Sequence, residues 1–171
     1  MTAAVDMGML ARLRVATGVD VHPFVEGREL IIGGVHVPYD CGLAGHSDAD
    51  VVAHAVTDAV LGGAGLADIG SLFPSEDPSL AGADSMVLLQ RAMSSVRDAG
   101  AEIVSVDVVV IMQAPRLAPH RPEIIRNLAA TLGVADTQVS VRATTTDQLG
   151  FVGRGEGAAA IATALMLTRE R

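Results

Sequence analysis

Segments of strand and helix character alternate along most of the chain, and this alternation limits the folds that it can adopt. Apolar and β-branched residues dominate three segments that we predict as strands, 12–21, 103–112 and 139–144. Apolar residues recur at helical spacing, with glycine following, in three others, 51–61, 84–99 and 119–132. With 171 residues and no linker between these segments, the pattern predicts one α/β (α+β) domain.

The remaining segments are interpreted from their turn residues and composition. Residues 29–37 hold two short apolar runs around a Gly-Gly pair, which predicts a hairpin. Residues 39–45 and 68–78 contain glycine or proline among polar residues, and we predict loops. Residues 158–167 are rich in alanine, so intrinsic propensity alone favours a helix there.

The balance of residue types excludes several classes of protein. Half of the residues are hydrophobic but only 2% are aromatic, so small aliphatic side chains must form the core, and a subunit interface is expected to add buried area. A net charge of −8 argues against a nucleic-acid surface. No apolar run could span a bilayer, residues 1–11 do not favour a secretory or a transit signal, and the single Cys41 excludes an intramolecular disulfide. We therefore expect a cytoplasmic protein without nucleic-acid or membrane partners.

Three of the five histidines lie with several aspartates in two short runs, 18–22 and 45–54. Carboxylate oxygen and imidazole nitrogen are ligands of zinc and similar divalent ions. Asp20 and His22 are two residues apart on a predicted strand, so their side chains point the same way and can reach one cation. An isolated pair of this kind is more often an ion pair, so a third ligand is needed.

His46 and His54 both offer that third ligand, but helix geometry separates them. Eight residues of helix span about 12 Å, so both cannot bind the ion held by Asp20 and His22. His46 precedes the helix, beside the free N–H groups of its first turn, where an anion such as phosphate is favoured and Ser47 adds a hydroxyl. His54 lies within the helix and is the better metal ligand. The nearby acids, Asp48, Asp50 and Asp58, are interpreted as a solvated helix face that favours the dipole.

A second polar segment follows the predicted strand 139–144. Thr144, Thr145 and Thr146 precede Asp147, a combination that suits phosphate contacts and a hard cation such as Mg²⁺. A glycine-rich stretch, 150–157, comes next but lacks the lysine of a phosphate-binding loop. Its Arg154 and Glu156 could equally pair with each other or bind a ligand.

The combined motifs resemble the 2-C-methyl-D-erythritol 2,4-cyclodiphosphate synthase family. The resemblance is carried, in matching order and spacing, by the runs GVDVHPF, IIGGVHVPYD, GHSDADVVAHAVTDAVLGGAGLADIGSLFP, QAP and ATTTDQLGFVGRGEG. It implies a synthase domain over 14–171 behind an N-terminal extension, 1–13. It also implies a ferredoxin-like fold with a mixed sheet and helices on one face, a homotrimer with active sites between subunits, and a strand at 158–167.

The resemblance also implies the ligands and the catalytic groups. Asp20, His22 and His54 would hold Zn²⁺ or Mn²⁺, and Asp147 would hold Mg²⁺ or Mn²⁺ at the diphosphate. Glutamate is common in the family where Asp147 stands, so the second ion would sit closer or keep an extra water. His46 and Thr145 would be the catalytic residues that stabilise the transition state.

The substrate-binding residues that the resemblance implies fall into three groups. Those at the metal and phosphates are Asp20, Val21, His22, His46, Ser47, Phe151 and Arg154. Those at the methylerythritol are Asp68, Ile69, Gly70, Phe73, Pro74, Ser75, Glu76 and Asp77. Those at the cytidine are Met112, Gln113, Ala114, Pro115, Arg116, Leu117, Ala118, Thr144, Thr145, Thr146 and Asp147.

The reaction implied is that of a phosphorus–oxygen lyase in isoprenoid biosynthesis. The 2-phosphate of 4-diphosphocytidyl-2-C-methyl-D-erythritol 2-phosphate would attack the β-phosphorus, so that CMP leaves and the cyclodiphosphate forms. Two alternatives remain open at this point. One is a metal-dependent phosphohydrolase, and the other is a non-catalytic trimer that binds isoprenoid diphosphates.

Overall fold

The computed structural model describes residues 7–74 and 76–169, and within these ranges it contains seven strands and six α-helices. The first six residues of the predicted extension and Ser75 therefore lie outside the described residues. The strands are β1 Leu13–Glu26, β2 Leu30–Ile32, β3 Val35–Val37, β4 Cys41–Leu43, β5 Ala101–Ile111, β6 Val139–Thr144 and β7 Gly157–Thr168. The helices are α1 Met7–Ala11, α2 Val51–Ala64, α3 Ile69–Leu72, α4 Ser85–Asp98, α5 Arg121–Leu132 and α6 Gly150–Gly153.

Five strands form one mixed sheet in the order β4-β1-β7-β5-β6. β5 and β6 pair in parallel, and the other neighbours pair antiparallel. β1 and β7 are paired from Leu13 and Leu167 to Pro23 and Gly157, which makes them the long centre of the sheet. β2 and β3 form the predicted hairpin as a separate two-stranded sheet. The predicted mixed α/β architecture is thus confirmed.

The two faces of the five-stranded sheet have different environments. α2 packs across β1 and β7, while α4 and α5 pack beside β5 and β6. The strand residues beneath these helices, among them Val108 and Ala162, are buried. On the opposite face the alternate residues remain open, with Val15 70% and Val19 56% exposed. The continuous apolar character of 103–112 therefore does not mean a strand buried on both faces, because one face of β5 is open.

α2 lies very close to the sheet because the residues between them are small. A Cβ at Gly18 would overlap the carbonyl oxygen of Ala55 and the backbone nitrogen of Ala59 on α2. Alternate residues of β7 on this face are fully buried alanines, including Ala160 and Ala162. Packing therefore selects alanine in a strand here and overrides its helical propensity. The helix that propensity favoured at 158–167 is wrong, and the strand implied by the family resemblance is present.

Several boundaries differ from the sequence prediction. β1 continues past His22 to Glu26, because its last residues pair with β4 in the segment expected to be a loop, 39–45. α2 runs through Gly62 and Gly63, where helix packing on the sheet compensates for poor propensity, and ends at Gly65 with a φ of 75°. The predicted loop 68–78 contains the short helix α3. None of the helices in the described ranges has the length and apolarity that a membrane span needs.

Asp50 is fully buried and joins the β2–β3 hairpin to the start of α2. Its carboxylate accepts hydrogen bonds from the backbone N–H groups of Gly33 at 2.9 Å, Gly34 at 2.7 Å, Val52 at 3.0 Å and Ala53 at 3.1 Å. The prediction that this acid belongs to a solvated helix face is wrong. The carboxylate thus occupies two of the first-turn N–H groups that the sequence suggested as a phosphate site, those of Val52 and Ala53.

Replacement of Asp50 by alanine should destabilise the protein by about 2–4 kcal/mol, because the helix loses its N-cap and buried N–H groups lose their acceptor. Urea unfolding followed by circular dichroism measures this change. Asp84→Ala is the matched control, since Asp84 caps α4 from an exposed position and should lose only about 1 kcal/mol. Equal losses in the two variants would show that the hairpin contacts of Asp50 contribute nothing.

Candidate metal centre and active site

Asp20, His22 and His54 bring three ligand atoms together between β1 and α2. Asp20 and His22 lie on the same side of β1, and His54 reaches them from the first turn of α2. His22 Nε2 lies 2.9 Å from Asp20 Oδ2, and His54 Nδ1 lies 3.1 Å from that oxygen and 3.1 Å from His22 Nε2. All three side chains are largely buried. The structure thus assembles the group predicted from sequence.

The dimensions of this cluster fit a tetrahedral divalent cation. Bonds of about 2.1 Å at tetrahedral angles place ligand atoms about 3.4 Å apart, so the cluster needs to open by only a few tenths of an ångström. Two imidazoles and one carboxylate leave a fourth position for another ligand, as in catalytic zinc sites. His22 Nδ1 donates to the carbonyl oxygen of Ala44 at 2.6 Å, which leaves the Nε2 lone pair free to bind a metal.

The buried charges of the cluster shift its pKa values. Burial raises the pKa of Asp20, but its interactions with His22 and His54 outweigh that effect and hold the pKa well below its usual range. Burial lowers the pKa of His22, but the hydrogen bond and charge of Asp20 outweigh it and raise the pKa above the ordinary 6.5. Without a metal, the two side chains therefore form an ion pair.

His46 and Ser47 lie at the mouth of this cluster. His46 is exposed, and its Nε2 donates to the carbonyl oxygen of Asp77 at 3.0 Å. Ser47 is buried, with its hydroxyl 3.1 Å from His54 Nε2. A cleft of about 210 Å³ opens beside them, and it is lined by His22, His46, Ser47, His54, Ile69, Gly70, Phe73, Leu80 and Leu88. The metal cluster and part of the predicted methylerythritol site thus share one cavity.

The residues predicted for the methylerythritol part follow α2 in a segment that we name the cleft loop, residues 66–83. Ile69, Gly70 and Phe73 line the cleft. Asp68 and Asp77 instead accept backbone hydrogen bonds at the starts of α3 and of a 3₁₀ turn, Pro78–Leu80. Pro74 and Glu76 belong to the same loop, whereas the predicted Ser75 is outside the described residues.

Both ends of the cleft loop are attached to the segment that carries His46 and to α2. The backbone N–H of Ile69 donates to Asp58 Oδ1 at 2.7 Å, so Asp58 is a loop anchor rather than a purely solvated acid. Gly82 donates its N–H to the carbonyl oxygen of His46 at 2.7 Å, and Asp48 donates its N–H to that of Ala83 at 3.0 Å. These contacts hold the loop over the metal cluster.

A second cleft of about 210 Å³ lies at the ends of β5 and β6. Its lining holds most of the residues predicted for cytidine, namely Met112, Gln113, Pro115, Arg116, Leu117, Ala118, Thr144 and Thr145, together with Ala143. The predicted Ala114 precedes Pro115 in the same turn but is not part of the lining. The two clefts share no lining residue.

The predicted Thr146 and Asp147 follow β6 at partly and fully exposed positions. Thr146 donates from its hydroxyl to the carbonyl oxygen of Leu149 at 2.6 Å. Asp147 is exposed and lies 3.5 Å from the hydroxyl of Thr145. Among the described residues only Asp20, His22 and His54 form a group of three metal ligands. A cation at Asp147 would therefore need further ligands that are not acidic or histidine side chains of this subunit.

Arg154, Phe151 and Val21 lie outside the two clefts. Arg154 pairs with Glu156 through two hydrogen bonds, 2.7 Å from Nε and 3.1 Å from a terminal nitrogen, so the pairing that the sequence left open occurs in this chain. Phe151 is 41% exposed. Val21 follows Asp20 on β1 and points to the open face of the sheet, away from the metal cluster.

Sequence patterns missed four residues around the first cleft. Leu80 and Leu88 line it, and Leu88 belongs to the apolar face of a helix that the sequence did predict. Asp48 and Ser85 lie behind His54, where Ser85 is fully buried and lies 3.0 Å from His54 Nε2. No local signal reveals Ser85, because its partners are more than thirty residues away.

The metal-free protein should lose stability as the pH rises above 6.5. A raised pKa means that the folded state binds the His22 proton more tightly than the unfolded chain. The contribution of this proton is complete below pH 6.5 and disappears as the pH rises through the higher folded pKa. Urea unfolding in the presence of chelator, over a series of pH values, should show this loss in the wild type. His22→Gln and Asp20→Asn should lack it, and an equal loss in all three proteins would contradict the assignment.

Comparisons with known proteins agree with this architecture. The YgbB family profile matches residues 13–167. A 2-C-methyl-D-erythritol 2,4-cyclodiphosphate synthase from Aromatoleum aromaticum is 55% identical over 159 residues, which cover 93% of this chain and 96% of that protein.

Solved structures give the same result. The bifunctional IspDF of Campylobacter jejuni superposes with a TM-score of 0.89 at 41% identity, over 92% of this chain and 43% of that longer chain. The IspF of Plasmodium falciparum, in a CDP complex, superposes with a TM-score of 0.80 at 30% identity, over 92% of this chain and 97% of that one. The chain therefore belongs to the YgbB family and is an enzyme of the cyclodiphosphate synthase type.

Proposed function

We propose that this enzyme converts 4-diphosphocytidyl-2-C-methyl-D-erythritol 2-phosphate into 2-C-methyl-D-erythritol 2,4-cyclodiphosphate and CMP. The observation that carries this proposal is the meeting of a three-ligand metal cluster with His46 and Ser47 in one cleft. Family membership supplies the class of substrate, and the chemistry of the cleft agrees with it.

The main obstacle in this reaction is repulsion between an anionic nucleophile and an anionic diphosphate. An oxygen of the 2-phosphate forms a bond to the β-phosphorus while the bond from that phosphorus to the CMP oxygen breaks. The nucleophile is already ionised, so the protein needs no strong base. His46 is placed to hold a phosphate oxygen by a hydrogen bond, with Ser47 beside it, and the apolar walls formed by Phe73, Leu80 and Leu88 exclude water.

Metal ions complete the electrostatic part of the proposal. A divalent cation held by Asp20, His22 and His54 would supply Lewis-acid polarisation and neutralise phosphate charge. Zn²⁺ or Mn²⁺ suits two imidazoles and a carboxylate. Asp147, as a single exposed carboxylate, would share Mg²⁺ or Mn²⁺ with diphosphate oxygens, which are hard ligands that such ions prefer. Thr145 lies beside it and is assigned to transition-state stabilisation.

The second cleft is assigned to the cytidine end of the substrate. Its walls are formed by the turn that contains Gln113 and Pro115 and by Thr144 and Thr145. Backbone groups and threonine hydroxyls can hydrogen-bond the polar edge of a base. The Plasmodium falciparum relative was solved as a CDP complex, which supports a cytidine nucleotide as ligand here.

We also propose that the active enzyme is a homotrimer of ferredoxin-like subunits. The open face of the sheet exposes Val15, Val19, Val21 and Ile161, and a surface that exposes several large apolar side chains is typical of a subunit interface. The two clefts of one subunit share no residue, so contact between subunits would let the metal cleft of one meet the cytidine cleft of its neighbour.

The proposed reaction can be followed directly by phosphorus NMR. Incubation of the enzyme with the cytidyl substrate, Zn²⁺ and Mg²⁺ should give CMP and cyclodiphosphate in equal amounts. A chelator should abolish both signals, and added Zn²⁺ should restore them. Release of inorganic phosphate without cyclic product would identify a phosphohydrolase, and binding without turnover would identify a non-catalytic module. Either outcome would overturn the proposal.

Two histidine variants separate metal binding from phosphate contact. His54→Ala should lose the tightly bound metal and activity together, because it removes a ligand. His46→Ala should keep the metal but lose roughly 10²–10³-fold in kcat, because a group that stabilises developing charge is missing. Metal content by mass spectrometry and the NMR assay give both quantities. Unchanged metal content in His54→Ala would show that the ligand is wrongly assigned.

The trimer is tested by placing a charge on the open face. Val19→Asp should convert the trimer into monomers in light scattering, because each interface would bury an unpaired carboxylate at a cost of several kcal/mol. Val87→Asp is the matched control, since Val87 is 50% exposed on α4, away from the sheet face. A trimeric Val19→Asp protein, or a monomeric wild type, would contradict the proposed interface.

A further inference from the structure

His54 makes contacts through both nitrogens of its ring. Nδ1 faces Asp20 and His22 in the proposed metal centre, on which the present inference rests. Nε2 faces away, toward two buried hydroxyls, 3.1 Å from Ser47 Oγ and 3.0 Å from Ser85 Oγ. A neutral imidazole carries one proton, so the proton on Nε2 and the free lone pair on Nδ1 depend on each other.

The direction of the Ser85 hydroxyl is set by Asp48. Ser85 donates its hydroxyl proton to Asp48 Oδ1, and its backbone N–H donates to Asp48 Oδ2 at 3.1 Å. A serine hydroxyl has only one proton, so toward its other neighbours Ser85 Oγ presents lone pairs. His54 Nε2 must therefore carry a proton, because otherwise two lone pairs would face each other at 3.0 Å in a buried site. Nδ1 then accepts a hydrogen bond from His22 Nε2 at 3.1 Å and does not donate to Asp20.

We propose that Asp48 and Ser85 are a positioning pair that keeps the His54 proton on Nε2 and so leaves Nδ1 open to the metal ion. Metal-binding histidines commonly donate their second N–H to a carboxylate or carbonyl. Here a buried serine stands between the imidazole and the carboxylate. The pair belongs to different parts of the chain, since Asp48 precedes α2 and Ser85 begins α4.

The same arrangement determines what Ser47 can do. Ser85 Oγ accepts from His54, and Ser47 Oγ accepts the backbone N–H of Ala49 at 3.2 Å. The Ser47 hydroxyl lies 3.0 Å from Ser85 Oγ, and because Ser85 gives its own proton to Asp48, Ser47 is the donor in this contact. If Ser85 were absent, Ser47 could instead donate to His54 Nε2. The imidazole proton would then move to Nδ1, where the metal must bind.

Zinc affinity is the primary measurement, made by competition with a chromophoric chelator on folded protein. Ser85→Ala should weaken Zn²⁺ binding roughly 10- to 100-fold, the usual effect of losing such a contact. Ser94→Ala is the matched control, because it makes the same change on the exposed face of α4. Wild-type affinity in Ser85→Ala would overturn the proposal.

A double-mutant cycle separates positioning from a structural role. Asp48→Ala should also weaken Zn²⁺ binding, because the Ser85 hydroxyl then loses the carboxylate that fixes its proton. In the Ser85→Ala background the same change should leave Zn²⁺ affinity unaltered, although it still lowers the free energy of unfolding through the N–H of Asp50, which Asp48 Oδ1 accepts at 3.1 Å. Additive losses of affinity would show that Asp48 does not act through Ser85.

Nitrogen-15 NMR of metal-free wild-type protein tests the tautomer without relying on any variant. The His54 ring should show its proton on Nε2. A proton on Nδ1 with none on Nε2 would overturn the inference even if the enzyme binds zinc and turns over substrate. Conversely, a wild-type protein without zinc affinity or CMP release would refute the proposed function, while the tautomer would still report on Asp48 and Ser85.

Discussion

The close approach of α2 to the centre of the sheet is the constraint on which the site depends. Asp20 and His54 belong to different elements, and their side chains meet only because nothing larger than a hydrogen atom at Gly18 separates β1 from the helix. The alanines of β7 continue this thin layer under the rest of α2. Because small residues rather than aromatic ones lie between them, the backbones of β1 and α2 can approach closely. Side chains from the strand and from the helix can then bind the same cation.

Polar groups at the start of α2 fix the positions of the hairpin and of α4 relative to this helix. The Asp50 carboxylate accepts hydrogen bonds from backbone N–H groups of both the helix and the hairpin. It therefore fixes the position of the hairpin relative to the start of the helix. Asp48, two residues earlier, connects the same turn to α4 through Ser85. Buried polar side chains in the described part of the chain all have hydrogen-bond partners. The position of His54 is therefore fixed by hydrogen bonds to Ser47 and Ser85 and by the packing of α2 against small residues of the sheet.

Much of this architecture could be read from the sequence, because local patterns determine it. The hairpin, α4 and α5 follow from turn glycines and helical spacing, and the metal ligands follow from side-chain direction on β1 and the length of a helix. The rest depends on partners distant in the chain. β4 forms because the end of β1 needs a neighbour, β7 is a strand because α2 requires alanine against it, and Asp50 is buried because the hairpin covers it. Ser85 carries no local signature at all, since its contacts to Asp48 and His54 arise only when α4 packs beside α2.

The cleft loop illustrates a thermodynamic consequence of these connections. Its first turn is fixed to Asp58 on α2, and its last residues are fixed to the backbone of His46 and Asp48. A ligand entering the cleft meets a segment whose two ends are already ordered by the same elements that hold the metal ligands. These two ends then lose little conformational entropy when the cleft fills, so a larger share of the free energy of their contacts is retained as affinity.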